Sequence, residues 1–135
     1  MDKVYDFLAD AGTFYYATAE ENGQPRVRPF GFCMKYNGKL YFGMGRPGGV
    51  TKPSTLQTIA NPKFEICATN SKMEWIRLAG TAVLDESQEA YEAAMAASPS
   101  LKAMYPEAKL YAGFYIKDAT ATISSFAGAP EVIKF

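Results

Sequence analysis

The segment Arg26-Val27-Arg28-Pro29-Phe30-Gly31-Phe32 indicates both the fold of this chain and the kind of ligand that it could bind. Its residues favour a β-strand, in which every second side chain points to the same face. One face of this strand is therefore expected to carry Arg26, Arg28, Phe30 and Phe32. A face that begins cationic and becomes aromatic suits a ligand with an anionic end and a flat apolar end, and nucleotide cofactors have this shape.

Two turn signals flank this segment. Asn22-Gly23 and Asn37-Gly38 accept the positive φ angles of tight hairpin turns. The first turn joins a strand at 13–19, rich in Thr, Tyr and Phe, to a strand predicted over 24–35. Pro29 cannot donate a hydrogen bond to a neighbouring strand, so the strand at 24–35 is expected at a sheet edge or with a bulge.

The remaining pattern predicts a mainly β domain with peripheral helices. Further strands are expected at 40–44, 64–69, 75–84 and 111–126, the last as one or two strands around Asp118, before a short tail at 132–135. Short helices are expected near 4–11, 54–60, 85–97 and 99–104. The second helix is expected to be capped by Ser54 with Gln57, or by Thr51. About six strands joined mainly by hairpins predict one antiparallel barrel over 1–135.

Composition narrows the possible functions. The chain has 135 residues, 48% of them hydrophobic, which suffices for one packed core. Lys and Arg number 14, as do Asp and Glu, so no general electrostatic field attracts nucleic acid or anionic lipid. No apolar run approaches the roughly 20 residues of a membrane span. We therefore expect a cytoplasmic protein without nucleic-acid or membrane partners.

The chain contains no histidine, which excludes Ser-His-Asp and Cys-His triads and removes the commonest metal ligand. No metal site is expected. Cys33 and Cys67 lie in separate apolar runs without a CxxC motif, so both are expected to be buried free thiols.

Local patterns suggest a phosphate site and a site for a flat ring. Thr51-Lys52 lies between a glycine-rich loop and a helix start, where backbone N–H groups, a hydroxyl and an ammonium could bind phosphate; a solvated surface is the alternative. Trp75 and Arg77 share a strand face and could cover a flat ring, pair across a subunit interface or form an ordinary rim. Gly43 indicates close backbone approach or a bulge.

The order of several motifs along the chain resembles a known family. The motifs are Phe14-Tyr15-Tyr16-Ala17-Thr18, Gln24-Pro25-Arg26-Val27-Arg28-Pro29-Phe30-Gly31, Lys39-Leu40-Tyr41-Phe42, Thr51-Lys52, Asn61-Pro62-Lys63-Phe64-Glu65-Ile66 and Trp75-Ile76-Arg77-Leu78-Ala79-Gly80. Their order and spacing resemble the pyridoxamine 5′-phosphate oxidase-like, FMN-binding split-barrel family, and within it the small nitroimidazole-resistance-like group.

This resemblance implies a six-stranded Greek-key split barrel and a homodimer with two FMN molecules at its interface. By the resemblance, Arg28 and Lys52 would bind the phosphate, with Thr51 beside them. The backbone of Pro29, Phe30 and Gly31 would run along the flavin ring, and Gly43 and Met44 would line the cofactor. Trp75 stands where many relatives have a glutamine near the flavin. Further cofactor-binding candidates are Arg26, Gln57 and Arg77.

The implied function is an FMN-dependent oxidoreductase that reduces a small organic acceptor with NAD(P)H. No side chain is assigned as catalytic; Arg77 or Tyr111 could orient the substrate. Vitamin B6 oxidation is not expected, because that activity uses a C-terminal Trp, Arg and His motif and the chain lacks histidine. The alternatives are a non-catalytic carrier or sensor of flavin, deazaflavin or haem, the last disfavoured without a histidine ligand, and a structural dimer without a cofactor.

Overall fold

A computed structural model describes residues 1–135 as eight strands and four α-helices. The strands are Phe14–Ala19 (β1), Pro25–Phe30 (β2), Cys33–Tyr36 (β3), Lys39–Gly45 (β4), Lys63–Thr69 (β5), Trp75–Leu84 (β6), Tyr111–Ser124 (β7) and Glu131–Lys134 (β8). The helices are Asp2–Ala11 (α1), Pro53–Ala60 (α2), Gln88–Ala97 (α3) and Pro99–Met104 (α4). Single 3₁₀ turns cover Pro47–Gly49 and Ala108–Leu110.

All eight strands form one antiparallel sheet. Its order is β2-β1-β5-β6-β7-β4-β3, and β8 pairs with β7. Although β2 and β3 are consecutive in the chain, they lie at the two ends of this order and do not pair with each other. The curved sheet is therefore open along one seam, as in a split barrel. This confirms the predicted mainly β, antiparallel split-barrel fold, and Pro29 lies on an edge strand as expected.

The interior of the barrel is packed with aromatic and aliphatic side chains. The ring of Tyr16 lies 4.9 Å from that of Phe30 and 5.7 Å from that of Phe64, measured between centroids. Phe42 and Phe114 stack at 5.4 Å. Each fully buried side chain of this size contributes roughly 1.5–3 kcal/mol to folding, so this cluster fixes the inner end of β2 against β1 and β7.

A second, smaller cluster lies outside the sheet, where α3 and α4 pack on β3, β4 and the start of β7. Its buried members are Met34, Tyr41, Ala90, Tyr91, Ala94, Met95, Leu101 and Tyr111. The hydroxyl oxygen of Ser87 accepts a hydrogen bond from the backbone N–H of Ala90 at 3.2 Å and caps α3. This cluster holds the α3–α4 pair beside the end of β4.

The strand predicted over 24–35 is two strands. β2 ends at Phe30, and after Gly31 and Phe32 the chain begins β3 at the other end of the sheet. Phe30 packs against the barrel core and Phe32 against the second cluster. The predicted shared face therefore holds only as far as Phe30.

This division and the pairing of the C-terminal strand β8 raise the strand count from about six to eight. The segment around Asp118 belongs to a single strand, in which Asp118 has a φ of 50° and the pairing with β6 shifts register.

The predicted caps of α2 are wrong. Lys52 is the N-terminal flanking residue, Pro53 occupies the first helical position, and no side chain caps the helix. Thr55 and Thr58 are buried, whereas Leu56 and Ile59 are exposed. The hydroxyl of Thr58 donates a hydrogen bond to the carbonyl of Ser54 and lies 2.9 Å from Oη of Tyr16. The buried hydroxyl of Thr58 therefore has hydrogen-bond partners on both sides.

The expectation of two buried thiols holds in part. Both cysteines are free, and Cys33 is partly buried, but Cys67 is exposed because it points outward from the alternating strand β5. No helix of the structure has the length and apolar character that crossing a membrane requires.

Candidate functional site

A cavity of about 580 Å³ opens where the end of β2 meets the end of β4, and the start of α2 and the α3–α4 pair complete its walls. It brings together seven of the cofactor-binding candidates proposed from sequence, Arg28, Pro29, Phe30, Gly31, Gly43, Met44 and Lys52, and also Tyr111, which was proposed to orient a substrate. Volumes of about 300–1,000 Å³ are typical of small-molecule sites. The cavity is therefore the candidate binding site.

Arg28 enters this cavity with its side chain held by neutral groups. Its Nη1 donates a hydrogen bond to Oγ1 of Thr18 at 2.8 Å, and its Nη2 donates to Oε1 of Gln57 at 2.9 Å. The guanidinium also lies 5.8 Å from the centre of the Tyr16 ring. Burial, with repulsion from Arg26, lowers the pKa of Arg28, but a guanidinium stays protonated at neutral pH. Its charge faces no carboxylate partner.

Gln57 and Arg26 lie in a hydrogen-bond network next to Arg28 and outside the cavity. Gln57 donates through Nε2 to Oε1 of Glu20 at 3.2 Å, and Nε of Arg26 donates to the same oxygen at 3.0 Å. Neither Gln57 nor Arg26 lines the cavity. Glu20 therefore compensates the charge of Arg26 and leaves that of Arg28 available for a ligand.

Lys52 is the second cation of the cavity. Its side chain is exposed and makes no hydrogen bond or ion pair within the chain. Ser54, on the first turn of α2, also lines the cavity, whereas Thr51 does not. An ammonium, a hydroxyl and the first N–H groups of a helix form an environment that favours anions.

Two glycines at the end of β4 make room for two tyrosine rings. A Cβ placed on Gly43 would lie 2.2 Å from Oη of Tyr111, and one on Gly45 would lie 2.7 Å from Oη of Tyr105. The close approach predicted at Gly43 is thus made by the Tyr111 ring. Both tyrosines line the cavity, and their ring centroids are 5.6 Å apart.

One wall of the cavity comes from a part of the chain to which the sequence analysis assigned no binding residues. The α3–α4 turn, α4 and its C-terminal end contribute Ser98, Ser100, Leu101, Met104 and Tyr105. No motif marks these residues, because they reach the cavity only through the packing of α4 on the sheet. The helix predicted near 99–104 is present as α4, but nothing in the pattern predicted which face it would present.

Trp75 and Arg77 lie away from this cavity. They occupy the outer face of β6, where Nε of Arg77 donates to Oε1 of Glu65 at 2.6 Å. Trp75 packs edge-on against Phe126 at 5.3 Å. Within one chain, therefore, these two residues do not join the group around Arg28, and their proposed contact with a cofactor stays a prediction.

The chemistry of the cavity follows from its titratable groups. Its lining contains two cations and two phenols, Arg28, Lys52, Tyr105 and Tyr111, and neither a carboxylate nor a thiol. Burial raises the pKa of Tyr111 above its ordinary value of 10.0. Such a site can bind an anionic group and a flat ring, but without a carboxylate, a thiol or an imidazole it offers none of the usual acid–base pairs.

Comparison with known proteins agrees with the fold and points to a family. The family model described as pyridoxamine 5′-phosphate oxidase matches residues 1–113. The chain is similar to a NimC/NimA family protein from Clostridium acetobutylicum, with 41% identity and a TM-score of 0.91 over 100% of this chain and 92% of that one. No curated protein sequence matches the chain.

Two further solved structures share the fold at low identity. A pyridoxamine 5′-phosphate oxidase-related, FMN-binding protein from Nostoc punctiforme is 14% identical, with a TM-score of 0.67 over 99% of this chain and 95% of that one. A heme binding protein from Mycobacterium smegmatis is 15% identical, with a TM-score of 0.71 over 95% of this chain and 55% of that one.

Proposed function

Since the chain belongs to the pyridoxamine 5′-phosphate oxidase family, we propose that it is an FMN-dependent oxidoreductase that reduces a small organic acceptor with electrons from NAD(P)H. One observation supports this above all: Arg28 and Lys52 line a single cavity, and neither is paired with a carboxylate. Two uncompensated cations in one cavity favour a phosphate ligand. The same proposal includes a cytoplasmic location, where NAD(P)H is available.

The residues of the cavity fit FMN in both charge and shape. A phosphate monoester carries about −1.5 to −2 charges near neutral pH, which Arg28, Lys52 and the Ser54 hydroxyl would bind. The rest of the lining includes Phe30, Phe32 and Met44, which suit a flat ring. FMN, when bound, would supply the redox chemistry that the side chains lack. The chain itself binds the phosphate, orients the ring and excludes water.

The same proposal includes a homodimer with the flavin between its two copies. Leu56 and Ile59 lie three residues apart on α2 with 55% and 58% of their surfaces exposed, and Val50 just before the helix is 70% exposed. An exposed apolar surface of this kind favours a protein partner. In such a dimer, Trp75 and Arg77 would reach a flavin only from the second copy, because they lie outside the cavity of their own chain.

The proposal is tested by comparing FMN with riboflavin, which has the same ring but no phosphate. In the double variant Arg28→Ala/Lys52→Ala we expect FMN affinity to fall by about 100-fold or more, since charge-assisted hydrogen bonds contribute roughly 1.5–3 kcal/mol each. Riboflavin affinity should stay nearly the same. Lys63→Ala/Lys72→Ala removes two exposed lysines elsewhere and serves as the control. Unchanged FMN affinity in the first variant would show that the phosphate binds elsewhere.

A non-catalytic flavin carrier or sensor is the second candidate, and the lack of an acid–base pair in the cavity favours it. Anaerobic addition of NADH or NADPH to the flavin-loaded protein separates the two functions. Loss of the flavin absorbance, followed by its return when an organic acceptor is added, supports the enzyme. Flavin absorbance that neither nucleotide changes supports the carrier.

A further inference from the structure

One buried tyrosine of this chain lacks a good hydrogen-bond partner. Four tyrosines are buried, and three of them are well satisfied: Oη of Tyr16 lies 2.9 Å from Thr58, Tyr41 donates to Asp85 at 2.9 Å, and Tyr91 donates to the carbonyl of Tyr105 at 2.7 Å. The hydroxyl of Tyr111 reaches only the carbonyl of Phe42, at 3.5 Å. Buried polar groups in proteins are nearly always hydrogen-bonded, and a contact of this length is at the limit of one.

A second hydroxyl close by is also without a partner. Tyr105 is half-buried, and its hydroxyl makes no hydrogen bond within the chain, although its backbone is held on both sides. Its N–H donates to the carbonyl of Leu101 at 2.7 Å, and its carbonyl accepts from Tyr91. The backbone of Tyr105 is therefore held in place, and its ring packs 5.6 Å from that of Tyr111, while its hydroxyl stays free to bind a ligand.

The two unused hydroxyls lie over alternate residues of the same strand, β4. Oη of Tyr111 lies over Gly43 and Oη of Tyr105 lies over Gly45, and side chains at alternate positions of β4 point to one face. Both tyrosines line the candidate cavity. The surface that they share with α4 adds Leu101 and Met104 and two serine hydroxyls, without a charged group.

We propose that the hydroxyls of Tyr105 and Tyr111 donate a pair of hydrogen bonds to a carbonyl oxygen of the electron acceptor, and that the acceptors are small uncharged conjugated carbonyl compounds, such as quinones and enones. This inference rests on the proposed function and names the substrate class of the same cavity. The cations Arg28 and Lys52 are assigned to the phosphate of the cofactor, so a second ligand beside α4 meets only neutral donors and apolar surface.

The chemistry of such acceptors suits a pair of phenols. Reduction of a conjugated carbonyl compound takes up two electrons and two protons; NAD(P)H supplies the equivalent of a hydride, and water supplies the other proton. Negative charge develops on the carbonyl oxygen during this reaction, and fixed neutral donors stabilise it. Because burial raises the pKa of Tyr111, its hydroxyl stays protonated and remains a donor across the physiological range.

The test uses Tyr105→Phe and Tyr111→Phe, each of which removes one oxygen atom and keeps the ring. Tyr115→Phe, on the same strand but outside the cavity, is the matched control. With 2-cyclohexenone or 1,4-benzoquinone as acceptor, we expect kcat/KM to fall about 10- to 100-fold in either cavity variant. Ferricyanide takes single electrons and needs no carbonyl contact, so its reduction rate should fall far less than the rates with the carbonyl acceptors, and FMN affinity should change less than those rates.

A binding measurement makes the test independent of turnover. Acetophenone and α-methylstyrene differ by the replacement of the carbonyl oxygen with a methylene group, and calorimetry of the protein as purified gives their affinities. The preference for acetophenone should fall about 5- to 20-fold in each cavity variant and stay unchanged in Tyr115→Phe, since the ligand oxygen and the hydroxyl form one interaction.

Three results would overturn the inference. Equal losses of reduction rate with the carbonyl acceptors and with ferricyanide would show that the two tyrosines only contribute to packing. Weaker FMN binding with unchanged acceptor preference would assign them to the flavin. An unchanged preference for acetophenone in both cavity variants would show that neither hydroxyl binds the carbonyl oxygen. Failure of the proposed function is a separate result: the purified protein would bind neither FMN nor riboflavin, while the acetophenone measurement would still decide the role of the phenols.

Discussion

The side-chain carbonyl of Gln57 accepts a hydrogen bond from Nη2 of Arg28 at 2.9 Å and orients the guanidinium without neutralising it. The amide nitrogen of Gln57 donates in turn to Glu20, whose carboxylate is shared with Arg26. The Gln57 amide thus lies between Arg26, which is paired with the Glu20 carboxylate, and Arg28, which has no carboxylate partner. The difference matters because a neutral support orients a cation, whereas a carboxylate at the same position would also compete with the ligand for its charge.

The first prediction concerns this separation. Gln57→Glu places a carboxylate against Arg28, so FMN affinity should fall about tenfold at low salt, with a smaller loss at high salt. Gln57→Leu removes the hydrogen bond without adding charge and should cost less. Riboflavin affinity, measured in parallel by fluorescence titration, should change in neither variant. Equal losses of FMN and riboflavin affinity would show that Gln57 acts on the ring and not on the phosphate.

The second prediction concerns the fit of Tyr111 against Gly43. Gly43→Ala would place a methyl group 2.2 Å from Oη of Tyr111, so the ring must move. We expect a loss of about 1–3 kcal/mol in the free energy of unfolding, measured in urea, as is usual for overpacked sites.

Gly31 lines the same cavity, and Gly31→Ala serves as the control. Its added methyl group would come no closer than 3.7 Å to the carbonyl oxygen of Gly12. This control should be nearly neutral. Similar losses in the two variants would contradict the close approach at Gly43.

The third prediction concerns pH and the contact between Tyr41 and Asp85. Burial alone would raise the pKa of Asp85, but hydrogen bonds from Ser87 and Tyr41 outweigh it and hold the pKa below the ordinary value of 3.8. The stabilisation is therefore complete above pH 3.8 and is lost as the pH falls through the lowered pKa.

Tyr41→Phe should cost about 1 kcal/mol in the free energy of unfolding at pH 7 and progressively less in acid. Tyr36→Phe alters a ring that packs on Tyr41 without touching Asp85, and serves as the control. A loss that does not shrink at any pH below 3.8 at which the protein stays folded would argue against the hydrogen bond to the charged carboxylate.

The fourth prediction concerns the two thiols. Burial raises the pKa of Cys33 to about 12, so its reactive thiolate is scarce at pH 8. Cys67 is exposed. Iodoacetamide should therefore label one thiol in the native protein and two in urea, as counted by mass spectrometry, and Cys67→Ser should remove the native label. Native labelling of Cys33 in that variant would contradict its burial.

The fifth prediction concerns the proposed dimer. Leu56→Glu/Ile59→Glu places two charges on the exposed apolar face of α2 and should convert a dimer into a monomer in analytical ultracentrifugation, with the fold retained. Met73→Glu changes an exposed residue in a distant turn and should leave the assembly intact. A dimer that persists in the α2 variant would place the interface on another surface.

Residues that act through local pattern were predictable from the sequence. Arg28, Phe30 and Pro29 follow from strand alternation and the edge position of proline, and Lys52 follows from its place before a helix. The separation of β2 from β3 was not predictable, because an unbroken strand and two strands joined at Gly31-Phe32 have the same alternation.

Residues that depend on tertiary packing could not be predicted in the same way. Tyr105 reaches the cavity only because α4 packs beside β4, and the contact of Gln57 with Arg28 needs α2 to lie across β1 and β2. Trp75 and Arg77 share a face as predicted, but strand alternation alone cannot say whether that face belongs to the cavity. The inward side of α2 is formed by two threonines, and not by its larger apolar residues, because the threonine hydroxyls find partners in the interior.

The seam between β2 and β3 has a consequence for how this architecture can change. Since no backbone ladder joins those two strands, a change in the Gly31-Phe32 connection at the cavity mouth would break no sheet hydrogen bond. Ligand size can then diverge through substitutions along one rim while the interior stays as it is. A barrel that stays open at this seam can thus come to bind ligands of a different size at little cost in folding free energy.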